Sequence, residues 1–267
     1  MKRKNFKILV LSDLKKSTIS TLKSTASLAK LLDAEVDFFH VKRPTEIIKQ
    51  ENEFAARRTI VKQHVSTSKK IKELLNTISN EYDVDISSSF SFGNVKSEIK
   101  NYIRKSNPDI IVLGKRKSGL LKISDDNITE FILKIFKGSI LITSDKKVLE
   151  PGSPLSLGLL DDYTIYPKME LEEALMAKTM IPLKTFKIGK NSGNKDLINN
   201  EKSVEFVFEN NANAVRNLSY YLLKNNINMA FFNRGNTVGR SKSNKISELI
   251  RKIDVPILLS NKQAETA

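Results

Sequence analysis

The feature that most constrains this chain is that it repeats itself. Ile128-Thr-Glu-Phe-Ile-Leu-Lys-Ile135 matches Ile246-Ser-Glu-Leu-Ile-Arg-Lys-Ile253 position for position. Each copy leads into a short apolar run, Ile140–Thr143 or Ile257–Ser260. Two further pairs recur in the same order. Lys7–Asp13 (KILVLSD) matches Leu155–Asp161 (LSLGLLD), each an apolar run ending in Asp. Asn107–Gly114 matches Ile227–Asn233, each followed by a basic loop that contains glycine. A chain that repeats in order is built from like units. Proline and glycine punctuate at Glu150–Pro154, so the expected units are 1–149 and 150–267.

Within the first unit, strands and helices alternate. Apolar strands are predicted at Ile8–Leu11, Val36–Val41, Ile110–Leu113 and Ile140–Thr143, with a half-polar strand at Val84–Phe92. Helix 17–32 carries Ile19, Leu22, Ala26 and Ala29 on one face. A long basic amphipathic stretch over 45–80 carries Ile47, Phe54, Val61, Val65, Ile71, Leu74 and Ile78. Helix Val95–Lys105 turns Val95, Ile99, Tyr102 and Ile103 inward, and helix Ile128–Phe136 has Ile128, Phe131, Ile132 and Ile135 at helical spacing. Alternating β and α elements imply a parallel sheet with helices on both faces. Continuous apolar strands are covered on both faces, whereas a half-polar strand suits an edge; the predicted order is 3-2-1-4-5. The second unit is leaner. Its strands are expected at 155–160, 183–189, 204–209, 229–233 and 256–260, and its helices near 168–179, 211–224 and 245–253. The second long helix is expected to shrink there to a turn around Asp196–Asn199. The fold class is therefore α/β, with two doubly wound five-stranded parallel sheets.

The 267 residues contain no cysteine, which excludes disulfides, thiolate metal sites and a cysteine nucleophile. The apolar run after the basic N-terminus is too short for a signal peptide or a membrane span, so a cytoplasmic location is expected. The net charge is +15, of which +11 falls on residues 1–150 and +4 on 151–267. Such a surface is either a solvated lysine-rich coat or an attractor of nucleic acid, anionic lipid or another polyanion. The chain has no GxxxxGK[ST] loop, no GxGxxG and no Gly-x-Ser-x-Gly elbow. No nucleophile, base and oxyanion site assemble, and a dedicated enzyme is not expected. His40 and His64, the two histidines, make neither a metal site nor an acid–base pair. His40 reads as structural and His64 as exposed. Thr129-Glu130 and Ser247-Glu248 resemble helix-start chemistry.

In its order of pieces, the chain resembles the universal stress protein family. The pieces are ILVLSD, the Phe39-His40-Val41 ending of strand two, Gly93, Asp109–Gly114, ITEFILKI and GSILIT. The resemblance covers residues 5–147 and, more weakly, 155–262. It implies a Rossmann-like fold of the adenine-nucleotide-binding type, in a tandem form with a degenerate second unit. Many members of the family bind ATP, using a Gly after strand four, a second Gly three residues on, and Gly-Ser or Gly-Thr nine residues later. Backbone N–H groups in such a loop close on phosphates. Here Gly114 fits the first position, Lys117 stands at the second, and Gly119 comes two residues late. The terminal pair is replaced by Asp126-Asn127, and Asp125-Asp126 bring negative charge there. Asp13, with Ser12 before it, matches the family's strand-one Asp, and Val41 matches a position lining the adenine pocket. In the second unit Asp161 matches, Asn233 replaces the first glycine, and Gly235 and Gly239 are out of register.

The candidate nucleotide-binding residues are thus Ser12, Asp13, Val41, Gly114, Lys115, Arg116, Lys117, Gly119, Asn127 and Ile128. Asp13 either contacts a nucleotide or caps the following helix near Ser17. The loop from Gly114 to Gly119 is either an anion loop, with Lys115, Arg116 and Lys117 supplying charge, or an exposed basic turn. The ligand implied by the resemblance is ATP or AMP, with magnesium only alongside ATP; slow ATP hydrolysis occurs in some relatives. Three readings stand at this point: a nucleotide-binding stress-response regulator, a scaffold acting through protein partners without a nucleotide, and a basic-surface binder of nucleic acid or anionic membrane. Relatives pair through the last strand of each unit. Strands 140–143 and 257–260 are therefore expected to pair inside this chain about a pseudo-two-fold axis, since an apolar edge invites pairing. Dimerisation of the whole chain is left open.

Overall fold

The computed structural model describes residues 5–43, 53–115, 128–160, 170–189, 203–234 and 240–260. The N-terminal half runs β1 (Lys7–Ser12), α1 (Thr18–Leu32), β2 (Glu35–Lys42), α2 (Glu53–Tyr82), β3 (Ile86–Phe92), α3 (Val95–Ser106), β4 (Ile110–Gly114), α4 (Ile128–Ile135) and β5 (Ser139–Thr143). The C-terminal half runs β6 (Leu157–Leu160), α5 (Glu170–Met176), β7 (Leu183–Ile188), β8 (Ser203–Phe208), α6 (Ala214–Lys224), β9 (Met229–Asn233), α7 (Arg240–Lys252) and β10 (Ile257–Ser260).

Among the described residues, the ten strands form one sheet in the order β3-β2-β1-β4-β5-β10-β9-β6-β7-β8. Each half keeps the order 3-2-1-4-5, and every pairing within a half is parallel. The two five-stranded sheets expected from the sequence thus join into one continuous sheet through the expected pairing of strands 140–143 and 257–260. The halves meet where β10 runs antiparallel to β5, with Ile257 opposite Ile142 and Leu259 opposite Ile140. The reason is visible in the two strands. SILIT and ILLS are buried along their whole lengths, and an open edge there would expose unpaired backbone beside apolar side chains.

One face of the sheet is covered by α1, α2 and α5, around Leu22, Ile71, Leu75, Ile78 and Leu175. The other is covered by α3, α4, α6 and α7, around Ile99, Ile132, Leu218, Leu222 and Leu249. β3 is the polar edge of the N-terminal half, with no fully buried residue.

Several helical faces differ from the periodicity. Ile19 is 52% exposed because α1 turns Thr18, Thr21, Leu22, Thr25, Leu28 and Ala29 into the protein and leaves Ile19 beside Lys23 and Lys30. The hydroxyls on that inner face find partners both within the helix and far along the chain. Thr25 donates to the Thr21 carbonyl at 2.8 Å, and Ser27 donates to the Leu149 carbonyl at 2.7 Å, which ties down the chain just before the second half. In α2, Ile71 and Ile78 are buried, together with Leu75 and Tyr82. Val61 and Val65 are instead 63% and 62% exposed, because at 100° per residue they lie roughly 80–120° round the helix from that buried line. Ile135 lies at the exposed margin of α4. Ile47 and the turn expected at Asp196–Asn199 lie outside the described residues. Among the described residues, no helix is long and apolar enough to cross a membrane.

Candidate functional site

In an open parallel sheet, the crevice for a ligand lies beyond the carboxyl ends of the strands, where the strand order reverses. Here that point lies between β1 and β4, and a cleft of about 330 Å³ opens there. The cleft is lined by the ends of β1, β2 and β4, the start of α1, the first turn of α3 and the start of α4.

Ser12 and Asp13 form its floor at the end of β1. The Ser12 hydroxyl accepts from the Leu14 N–H at 3.1 Å and lies 3.0 Å from the Thr18 hydroxyl. The Ser12 carbonyl accepts a 2.8 Å bond from His40 Nδ1, which places the Nδ1 proton in that bond. His40 is buried opposite Ser12 in the β1·β2 register, which is a structural role. His64 is exposed, with its ring 4.9 Å from that of Phe90. Asp13 closes the turn that precedes α1. Its Oδ1 accepts from the Lys15 N–H at 3.1 Å, closing a turn that carries Leu14 in the left-handed region (φ 57°). Its Oδ2 is 3.8 Å from the Lys15 ammonium. Ser17, at the helix start, makes no side-chain capping bond.

Phe39 and Val41 share one face of β2 and form an apolar wall with Val95 and Ile99, one helical turn apart on α3. The Phe39 ring is fixed from behind by Tyr102, stacked at 3.9 Å and 10°. The Tyr102 hydroxyl donates to Asp37 at 2.6 Å. Burial, and then this bond, push the Tyr102 phenol up to about 12.

Gly114 ends β4 against the start of α1. A Cβ there would stand 2.7 Å from Thr21 Oγ1 and 3.1 Å from Ser17 Oγ, so the glycine lets helix and strand approach. Thr21 Oγ1 is already engaged, donating to the Ser17 carbonyl at 2.7 Å and lying 2.9 Å from the Thr143 hydroxyl. Ile128 and Thr129, at the start of α4, close the opposite side.

Of the residues singled out from the sequence, Ser12, Asp13, Val41, Gly114 and Ile128 therefore line one cleft. Arg116, Lys117, Gly119 and Asn127 lie outside the described residues, as do Asp125, Asp126, Asp161, Gly235 and Gly239. Lys115 turns away. Its ammonium donates to the Ile253 carbonyl at 2.6 Å and to Asp254 Oδ1 at 3.1 Å, both in the C-terminal half. Asp254 also receives Lys146 at 2.6 Å. Burial opposes the Asp254 charge, but the bonds from Lys146 and Lys115 outweigh it and hold the carboxyl below its ordinary range. Among the described residues, the cations that line the cleft are Lys15 and Arg43, which the sequence reading passed over. Their signal was position alone: Lys15 is two residues past Asp13, and Arg43 two past Val41.

The repeat explains the direction of Lys115. Arg234 follows β9 as Lys115 follows β4, and it too crosses the junction. Its guanidinium donates to the carbonyls of Leu133 (3.1 Å), Phe136 (2.6 Å) and Gly138 (2.6 Å), around the end of α4. Lys115 does the same at the end of α7. Each half thus lends a cation to the carboxyl end of the other half's last helix, where carbonyls lack helical partners and the helix dipole favours positive charge. Burial lowers the Arg234 pKa to about 10, which still leaves it charged near neutrality. No group of His, Cys, Asp and Glu among the described residues is arranged to hold a metal.

Comparison with known proteins agrees with this fold. The model of the universal stress protein family matches residues 4–144. A search of curated proteins gives no match. Among solved structures, a universal stress protein from Archaeoglobus fulgidus DSM 4304 aligns over 96% of this chain and 98% of its own, with a TM-score of 0.65 and 14% identity. A functionally unknown protein, PA1789, from Pseudomonas aeruginosa PAO1 aligns over 97% and 93%, with a TM-score of 0.58 and 11% identity. A putative universal stress protein from Pseudomonas aeruginosa UCBPP-PA14 aligns over 97% and 94%, with a TM-score of 0.56 and 11% identity. Identities this low speak to the fold alone. The family model, which spans more than half the residues, goes further: this chain belongs to the universal stress protein family.

Proposed function

We propose that the protein is a stress-response regulator that binds an adenine nucleotide in the cleft between β1 and β4. The observation that carries this reading is the division of the cleft. One side is apolar (Phe39, Val41, Val95, Ile99) and suits a purine, while the floor is polar (Ser12, Asp13, Thr18) and suits ribose hydroxyls. Its volume of about 330 Å³ is at the small end of the range of roughly 300–1,000 Å³ for small-molecule sites. On the phosphate side, Lys15 and Arg43 line the cleft, whereas Lys115 is committed to Asp254. This favours AMP over ATP, with magnesium entering only with ATP. In this reading the chain consists of two units, 1–149 and 150–267, works in the cytoplasm and uses the first unit as the sensor.

A second reading has one specific observation behind it. The two halves are locked by the β5·β10 pairing, Lys115 and Arg234. A locked, two-lobed body suits a scaffold that presents surfaces to protein partners. Titration of a fluorescent adenine nucleotide separates the two readings. The sensor reading expects saturable binding that is lost in Asp13→Ala and in Val41→Trp, the latter filling the apolar side. The scaffold reading expects no saturable binding in any of the three proteins.

A further inference from the structure

The N-terminal part of α2 is a basic ridge with no role in the cleft. From residue 57 to residue 72 the helix carries Arg57, Arg58, Lys62, Lys69, Lys70 and Lys72 and no acidic residue, and all six cations are exposed. At 100° per residue, Arg58, Lys62, Lys69 and Lys72 fall within a stripe about 80° wide, turned away from the buried Thr67, Ile71 and Leu75, while Arg57 and Lys70 flank it. Sixteen residues at 1.5 Å each make the ridge about 24 Å long. Lys69 reaches Glu73 at 3.8 Å, both side chains well exposed, so solvent screens that pair.

We propose that this ridge binds the phosphate backbone of duplex nucleic acid without regard to sequence. Charge complementarity is the first argument. Duplex DNA presents one negative charge per about 1.7 Å, so a ridge of this length faces a dense row of phosphates. The other anionic surfaces fit less well. A helix that lies in a bilayer sinks an apolar face into it. Here the apolar face is used up by the core, and only Val61 and Val65 stand among the cations. Single strands are held by stacking on aromatic rings. The only ring-bearing side chain in the stretch, His64, already packs against Phe90 and Phe92. Gln63, which could read a base edge, accepts from the Lys42 ammonium at 2.6 Å. What remains is charge on a rigid rod, which positions a backbone and reads no bases.

The test is fluorescence anisotropy of the full chain with a labelled duplex of mixed sequence. Contact with about four to six phosphates predicts affinity falling roughly 10²–10³-fold between about 50 and 200 mM salt. The triple charge reversal Arg58→Glu, Lys62→Glu, Lys69→Glu should cut affinity at least about a hundredfold and flatten the salt slope by about three. A control with the same charge change on α3, across the sheet (Lys100→Glu, Arg104→Glu, Lys105→Glu), should lose less than about tenfold. Circular dichroism melts check that each variant folds, and the matching glutamine substitutions replace any that does not. The proposal is overturned by absent or salt-insensitive duplex binding, or by equal losses in the two triple variants. It is equally overturned if phosphatidylglycerol vesicles are bound through α2 and the duplex is not.

Discussion

Arg234 offers the sharpest test of how the two halves are held. The residue is 8% exposed, and its guanidinium serves three carbonyls, two of them at 2.6 Å. Hydrogen bonds from a charged donor contribute about 1.5–3 kcal/mol each, so three give roughly 5–9 kcal/mol in favour. Against this stands desolvation. A pKa lowered to about 10 from 12.5 corresponds to about 3 kcal/mol at 1.36 kcal/mol per unit. The net worth is then about 2–6 kcal/mol, and removing the side chain also strands buried carbonyls. Arg234→Met keeps the aliphatic volume and deletes the donors, so it isolates the bonds from the packing. It should lose about 3 kcal/mol. At 2–4 °C per kcal/mol for a chain of this size, that is a fall in Tm of about 6–12 °C. With no tryptophan in the chain, urea unfolding followed by circular dichroism is the assay. A buried ion can also be replaced by apolar volume at no loss. If Arg234→Met matches the wild type within about 0.5 kcal/mol, the clamp contributes nothing and the argument from its three bonds fails.

Other consequences can be checked in the same way. Gly114→Ala puts a methyl 2.7 Å from Thr21 Oγ1, inside a bonded group, and should cost about 1–3 kcal/mol by thermal melting. Because the Asp254 carboxyl is held below its ordinary 3.8, its contribution to stability is complete above that pH and is lost as pH falls through the lower folded value. Urea midpoints of the wild type should therefore drop on acidification below about pH 4, and those of Asp254→Asn should drop less. Tyr102, pushed up to about 12, should ionise late in a spectrophotometric titration of the folded protein, and Tyr102→Phe should remove that late step. Its folded pKa is raised, so its contribution is whole below pH 10 and declines as pH rises from 10 toward 12.

Much of this architecture could be read from residues alone, because the signals were local. The polar alternation of β3 marked an edge, and the apolar runs of β1 and β4 marked the centre of the half-sheet. The repeat of ITEFILKI as ISELIRKI foretold two like helices, and the apolar strands after them foretold a junction. Ser12, Asp13, Val41 and Gly114 could be placed near one another because strand ends in a parallel sheet lie side by side. Facts that depend on the other half could not be read so directly. Lys115 follows β4 as a phosphate-binding cation would, but its direction is decided by Asp254, more than a hundred residues away. Arg234 gave no sign of being buried, because its partners are backbone carbonyls, which carry no sequence signal. The exposure of Ile19, Val61 and Val65 has a related cause. Periodicity fixes which residues share a face, and the packing decides which face turns inward.

The measurement that bears most directly on the proposed function is a calorimetric titration of the wild type with AMP, ADP and ATP, with and without magnesium. The account predicts micromolar binding of AMP, binding of ATP no tighter than AMP because Lys115 is held by Asp254, and loss of heat in Asp13→Ala. The absence of heat for all three nucleotides, or binding unchanged in Asp13→Ala, would contradict the assignment of the cleft.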